Sequence, residues 1–232
     1  MTLTRRAALR AVAGVIAGAA GLTPARTRAA DCAIEAPRDL AFDVYRGSKN
    51  IGTHSITFAS GEEGLRATTR VSLTVKLAFI TLLDLNHESV EIWRGNRLRR
   101  LDSTTREGSE TFEVHGEAVD EGFRVESEDG IVTAAAGIMT TNTVWDACIL
   151  GQSEVIDAQH GGLVGLVVNR LGTEAIEVGK RKVDAARAHF VLPGASGDLW
   201  FAASRLVKAR FEVKSEVVDY RLRDDEPDTA AG

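Results

Sequence analysis

The residues able to do chemistry in this chain are few: five histidines, two cysteines, three tryptophans and scattered carboxylates. His54 stands out among the histidines because it lies in phase with Ile56 and Phe58, so a strand through this stretch turns its imidazole toward the apolar side. An inward imidazole must find a partner or lose its charge. Two readings follow, a ligand-contacting or acid–base group at a cavity mouth, and a structural histidine bonded to a neighbouring backbone or hydroxyl group. His87, His115 and His189 fall on stretches that read as solvated, beside Glu88, Glu113 and Arg187. No histidine pair has the spacing of a metal site, and no cofactor motif occurs, so neither a metal nor a cofactor is expected.

Nucleophilic catalysis has one arrangement to weigh, Cys148 ahead of His160-Gly161-Gly162, since an imidazole beside a thiol is the usual way to generate thiolate. A serine elbow is missing, because Gly194-Ala195-Ser196-Gly197 lacks the G-x-S-x-G spacing. The glycine-rich stretch Gly161–Gly165 runs into a β-like apolar segment rather than opening a helix, which argues against a phosphate loop. Trp93, Trp145 and Trp200, with Phe79 and Phe201, form an aromatic set that either fills a core or lines a cavity for an apolar ligand.

The compartment is legible at the start of the chain. Arg5 and Arg6 precede an apolar run from Ala11 to Leu22 and a small-residue exit at Ala29–Ala30, the three parts of an export signal. Twelve apolar residues rich in Ala and Gly are too short to span a bilayer core of about 30 Å. Thr4-Arg5-Arg6-Ala7-Ala8-Leu9-Arg10 resembles the twin-arginine export motif, with Ala8 where that motif has Phe. The expected organisation is a signal at residues 1–30, one domain at 31–223 and a disordered acidic tail at 224–232. Cleavage near Ala29/Ala30 would leave a periplasmic or secreted protein.

The signal holds five arginines and no acid, so the mature part carries 28 − 5 = 23 bases against 33 acids, a net charge of −10. Such a surface repels phosphate backbones and anionic headgroups, which excludes nucleic acid as an expected partner. Arg94, Arg97, Arg99, Arg100 and Arg106 read as a solvated strip on a hairpin. Cys32 and Cys148 remain after processing, and an even count in an oxidising compartment points to one disulfide. Two separate thiols are the alternative.

What must position these residues is a set of strands. Leu65, Ala67, Thr69, Val71, Leu73, Val75 and Leu77 alternate with Arg66, Thr68, Arg70, Ser72, Thr74 and Lys76, the period-two pattern of a half-buried strand. Similar alternation recurs around Phe42, Phe58, Phe112 and Phe123. Turn residues at Arg46–Asn50, Ser60–Gly64, Arg94–Asn96 and Glu128–Gly130 join such runs into antiparallel hairpins. A last hairpin places Val207, Ala209, Phe211 and Val213 inward, with Val218, Tyr220 and Leu222 returning.

Ala78–Leu85 reads as an apolar crossover lying over the sheet. Val144, Trp145, Cys148 and Ile149 stand at helical spacing, so one short helix is expected over Thr140–Leu150. The fold class is mainly β, a single antiparallel curved sheet or open β-barrel-like roll with one short helix packed on it. Glu91-Ile92-Trp93 before Arg97-Leu98 echoes Asp198-Leu199-Trp200 before Arg205-Leu206, which predicts two similar hairpins in one sheet.

Three stretches carry a family resemblance: Phe42-Asp43-Val44-Tyr45 through Ile51-Gly52-Thr53-His54, Glu91-x-Trp93, and Leu199-Trp200 with Leu206-Val207. With them the chain resembles exported bacterial proteins of domain of unknown function 6134, and more distantly the 3108 series. The hairpin Trp-turn-Leu-Val-basic is also similar to periplasmic lipoprotein carriers, whose incomplete barrel wraps an apolar cavity. That likeness implies a curved sheet able to shelter an acyl chain, and neither likeness supplies a catalytic residue. The expected function is a non-catalytic periplasmic module binding a hydrophobic ligand or an envelope partner, with His54, Trp93, Trp145, Trp200 and Phe79 as candidate ligand contacts. The alternative is a periplasmic hydrolase or redox accessory using His54 or Cys148/His160.

Overall fold

A computed structural model describes residues 34, 37–77, 80–213 and 216–223. The chain divides between Asp31 and Cys32, and the described residues all belong to the second unit. The expected signal at 1–30, Cys32, Phe79 and the tail at 224–232 lie outside them.

Alternating residues punctuated by turns give eight strands in succession: β1 (Leu40–Arg46), β2 (Lys49–Gly61), β3 (Gly64–Leu77), β4 (Ile80–Arg94), β5 (Arg97–Glu107), β6 (Glu110–Val119), β7 (Gly122–Ser127) and β8 (Gly130–Ala134). A less regular insert follows. It contains β9 (Met139–Thr140), the 3₁₀ turns η1 (Thr141–Trp145) and η2 (Ala147–Gly151), β10 (Glu154–Ile156) and β11 (Leu163–Gly165). Five more strands complete the fold: β12 (Val167–Val178), β13 (Arg181–Leu192), β14 (Ala195–Ala202), β15 (Arg205–Val213) and β16 (Glu216–Leu222).

Thirteen of these strands form one antiparallel sheet in the order β12-β13-β14-β15-β16-β1-β2-β3-β4-β5-β6-β7-β8. Hairpins account for every neighbour except one, the pairing of β1 with β16, where Phe42 meets Leu222 and Val44 meets Tyr220. The sheet is open, since β12 and β8 are its two edges. It curls nonetheless, because a single core joins Phe123 and Val125 of β7 and Ala134 of β8 to Phe190 of β13 and Leu199 of β14. The insert enters the same core through Met139, Trp145, Ile149, Val155 and Ile156. This is the mainly β, open barrel-like roll expected from the alternation.

Two glycines show why the strands fit so closely. A Cβ on Gly52, at φ +150°, would lie 1.9 Å from the Ser72 carbonyl oxygen, so only glycine lets β2 approach β3 there. At Gly116 a Cβ would lie 2.4 Å from the Phe123 ring, and its absence gives that ring its place.

The structure corrects three expectations. Of the crossover expected over Ala78–Leu85, the described part, Ile80–Leu85, is strand instead: β4 pairs with β3 as far as Ile80 against Leu77. The single helix over Thr140–Leu150 is two 3₁₀ turns, interrupted at Asp146, whose backbone is extended (φ −118°, ψ 133°). Finally, Val207 does not face inward. The β14–β15 register shifts between Trp200 and Phe201, which leaves Leu206, Ala209 and Phe211 in the main core and sends Val207 to a cluster with Trp200.

Asp146 explains the broken helix. Its carboxylate accepts a hydrogen bond from the Cys148 backbone N–H at 2.8 Å, capping η2, while its own N–H ends η1 on the Thr143 carbonyl. Burial raises the Asp146 pKa against the lowering effect of that cap bond. Asp146→Ala should cost about 1 kcal/mol in denaturant unfolding, and Asp146→Asn, which keeps the acceptor without the buried charge, should cost less. Equal losses for the two variants would show that the cap is not what Asp146 contributes.

Candidate functional site

Once Trp93 is placed inside, the period of two along β4 carries Glu91, Ser89 and His87 inside with it. All four are buried, as are Ser103 and Thr105 on β5. They meet Thr140, Asn142 and Thr143 of the insert, so a polar seam runs through the core where the insert sits on the sheet. His87 therefore departs from the solvated position expected of it.

Every contact in the seam is specific. Glu91 accepts from the Thr140 hydroxyl on one oxygen and from the Trp93 indole N–H, at 3.0 Å, on the other. Thr140 also caps η1 by accepting from the Asn142 N–H at 3.0 Å. The Asn142 amide nitrogen donates to Ser89 Oγ at 2.7 Å and to His87 Nε2 at 3.0 Å. With Nε2 accepting, the His87 proton belongs on Nδ1, which faces Thr105 Oγ1 at 2.8 Å.

Electrostatics follow burial. The Glu91 carboxyl is pushed up to about 7 by desolvation, only partly offset by its bonds from Thr140 and Trp93. His87 is pulled down to about 4, first by burial, with the nearby Asp157 charge opposing and His160 adding to the depression. His87 is thereby neutral above about pH 4, and Glu91 keeps its proton below about pH 7. The seam's hydrogen bonds fasten the insert to the sheet.

His54 points inward as its phase with Ile56 and Phe58 requires. Its ring lies against Phe42 (centroids 6.0 Å apart) and edge-on to Tyr220 (5.7 Å). Its Nε2 is buried without a hydrogen-bond partner, and burial, then the His87 charge, lowers its pKa to about 4. Burial likewise raises Tyr220 to about 12. Below this layer, Val44, Ile51, Val71, Leu73 and Val75 form a second apolar cluster with Leu85, Val218 and Tyr220. It is contributed by β1–β4 and β16 alone, and no insert residue takes part.

The tryptophans separate. Trp93 and Trp145 meet edge to face at 6.2 Å, with Phe58 5.0 Å from Trp145, and both indoles are fully buried, so they pack against each other. Trp200 lies on the opposite face of the sheet among Ile176, Val178, Ala185 and Val207. Its indole N–H reaches Glu174 at 2.5 Å, and Lys208 and Arg187 stand 4.7 and 5.1 Å from its ring. The predicted echo is thus real as pairing, since both Trp hairpins lie in one sheet and both bulge at Trp, but the two side chains face opposite ways.

His160 is engaged elsewhere than at Cys148. Its Nδ1 contacts Asp157 at 3.2 Å and its Nε2 contacts Glu107 at 3.1 Å, which leaves neither ring nitrogen to activate the sulfur. Cys148 is buried in η2, and no cysteine among the described residues is a free thiol. His115 and His189 sit on Asp102 and Asp198, partly solvated as expected. The arginine strip is exposed. Among the described residues no group of three or more His, Cys, Asp or Glu could hold a metal.

The outer face carries an open trough of about 660 Å³ lined by Thr53, Ser55, Ser72, Asn86, Thr104 and Arg70 among others. Arg70 is occupied by Glu88 at 2.7 Å. This is the hydrophilic side of strands whose other side forms the core.

Comparison with known proteins places this architecture. A family model described as a domain of unknown function, DUF6134, matches residues 42–223. No curated protein matches the chain. Among solved structures, a β-barrel-like protein of the domain of unknown function DUF1849 from Brucella abortus superposes with a TM-score of 0.60 at 14% identity, covering 84% of this chain and 99% of that one. At that identity the likeness is one of fold.

Proposed function

We propose, from the premise that this chain belongs to the DUF6134 family, that it is an exported, non-catalytic module holding an apolar ligand inside its curled sheet. The observation that carries this reading is the second apolar cluster. Val44, Ile51, Val71, Leu73 and Val75 form a second apolar cluster on adjacent strands, separate from the part of the core that the insert joins and closed by Leu85, Val218 and Tyr220. These side chains are 9% exposed or less, so a chain-like ligand enters by parting them from Leu85, Val218 and Tyr220 and burying its own apolar surface at roughly 25 cal/mol per Å². The polar seam supports the same reading, because its hydrogen bonds fasten a cover and leave no reactive group free.

Export by the twin-arginine route and a Cys32–Cys148 disulfide belong to this proposal. The arginine pair and apolar run support the first, and the lack of a free thiol at Cys148 supports the second. Closing a loop of 148 − 32 = 116 residues would stabilise the fold by about 4–5 kcal/mol in the chain-entropy model.

The experiment is mass spectrometry of protein gently purified from the native host's periplasm. Co-purified lipid is expected with the wild type and its loss with Leu73→Asp, at a mass starting after Ala29 or Ala30 and two hydrogens below the reduced form. A lipid-free wild-type protein that binds no added lipid would end the ligand reading. Retention of residues 1–30 would end the export reading.

A further inference from the structure

The outer face of the sheet is unevenly covered. On β2, β3 and β4 the short side chains Thr53, Ser72 and Asn86 stand opposite one another, and Arg106 of β5 ends that row. The next row runs Ser55, Arg70, Glu88 and Thr104 across the same strands. Short side chains flanked by long ones leave the trough of about 660 Å³, and a second hollow of about 390 Å³ adjoins it, the two sharing Asp102 and His115. Together they cross β2 to β7, roughly 24 Å at the usual strand spacing. No lysine lines either hollow.

Three properties narrow what fits. Charge is balanced: Arg70 and Arg106 stand against Glu88 and Asp102 in the trough, 2 − 2 = 0, within a chain whose net charge is −5. The adjoining hollow adds Arg100 and Arg124 against Glu117 and Glu126. Arg70 is paired with Glu88 at 2.7 Å, Arg124 with Glu126 at 2.9 Å, and Arg100 with Asp102, so a charged ligand finds no surplus of the opposite sign. Apolar cover is missing as well, because the trough's valines, Val71 and Val90, are buried and half-buried and give an acyl chain nothing to lie on. Lastly, β2 to β7 have both neighbours in place, so an extended peptide cannot add to them as a strand.

What the trough offers is hydroxyl, amide and carboxylate groups on one floor. A sugar hydroxyl donates and accepts at once, and two adjacent ones can bridge the guanidinium N–H and the carboxylate oxygen that Arg70 and Glu88 set side by side.

We propose that this trough is a binding site for a neutral oligosaccharide, separate from the apolar-ligand reading above. Thr53, Ser72 and Asn86 take the hydroxyls of one ring, the Arg70–Glu88 pair takes a vicinal diol, and the Asp102–His115 pair, 3.0 Å apart, stands where the chain passes into the second hollow.

The test is two-dimensional amide NMR of the full mature protein titrated with maltotetraose, cellotetraose and tetra-N-acetylchitotetraose, and with a hyaluronan tetrasaccharide as the acidic counterpart. At least one neutral sugar should shift the amides around Ser72 and Asn86 with a Kd on the order of 1 mM, and hyaluronan should bind at least about tenfold more weakly. Ser72→Lys stands a long side chain on the floor at an exposed position and should cut that affinity at least about tenfold with an unchanged melting temperature. Asn86→Ala removes a hydrogen-bonding group without adding bulk and should weaken it about fivefold. Ala59→Lys, exposed on the same face outside the hollow, should leave it unchanged. No shift at the trough with any of the three neutral sugars up to about 10 mM overturns the site. Equal or tighter binding of hyaluronan overturns the ligand class, and full affinity in either trough variant overturns the location. The inner apolar cluster is tested separately, by co-purified lipid.

Discussion

Trp93→Ala should lower the unfolding free energy by about 4 kcal/mol, a large share of the roughly 5–15 kcal/mol available to a domain of this kind. Trp93 is fully buried, stacks edge to face on Trp145 and donates its N–H to Glu91, so the substitution removes packing and a hydrogen bond together. The cavity would open where the insert meets the sheet, and the contacts that fasten η1 would loosen with it. Trp93→Phe separates the two contributions. It retains most of the packing and deletes the donor to Glu91, and should cost about 1–3 kcal/mol, the usual penalty for stranding a buried acceptor. Urea unfolding of the three proteins checks this, and equal losses for Ala and Phe would show that the hydrogen bond, not the packing, sets the cost.

The second large effect concerns pH. Glu91 has no cation beside it, and burial raises its pKa from 4.5 to about 7. The folded protein therefore keeps a proton that the unfolded chain releases, and stability falls as pH rises from about 4.5 to about 7. The full loss, about 3 kcal/mol for a shift of this size, is reached above pH 7. His54 and His87 act in the opposite sense. Burial lowers both from 6.5 to about 4, so their contribution is complete above 6.5 and disappears as pH falls through 4.

Glu91→Gln isolates the carboxyl from the two histidines. Glutamine matches the neutral acid in shape, its one oxygen accepting from the Trp93 indole while its amide nitrogen donates to the Thr140 hydroxyl. The variant should equal the wild type near pH 4.5 and exceed it by about 3 kcal/mol at pH 8. Denaturant unfolding of both proteins at the two pH values measures that difference. A constant offset would mean that Glu91 is charged in the folded state throughout, held by something other than its hydroxyl and indole donors.

The likeness to the DUF1849 barrel extends across nearly all of that protein while only 14% of residues are identical. Such a likeness is one of fold alone, and a curled sheet needs apolar residues on one side while tolerating many identities there. The site chemistry is free to differ, which is why the function proposed here rests on this chain's own inward residues.

The amino-acid sequence by itself determined the strands and their turns. Alternation such as Leu65 to Leu77 and the glycine-bearing connections are local properties, set within a few residues by pleat and permitted φ values. It also placed His54 inward and the arginine strip outward, and it carried the resemblance to the family that the comparison shows. Only the tertiary structure decided what meets what. The pairing of β1 with β16 joins residues about 180 positions apart, and nothing in either strand alone specifies the other. Trp200 is separated from Trp93 because Leu199 and Phe201 take the inward positions of β14 and the period of two then sends Trp200 to the other face. The seam of Glu91, Thr140, Asn142 and His87 exists only where the insert lands on β4, and there the loss of water sets the charge of each group.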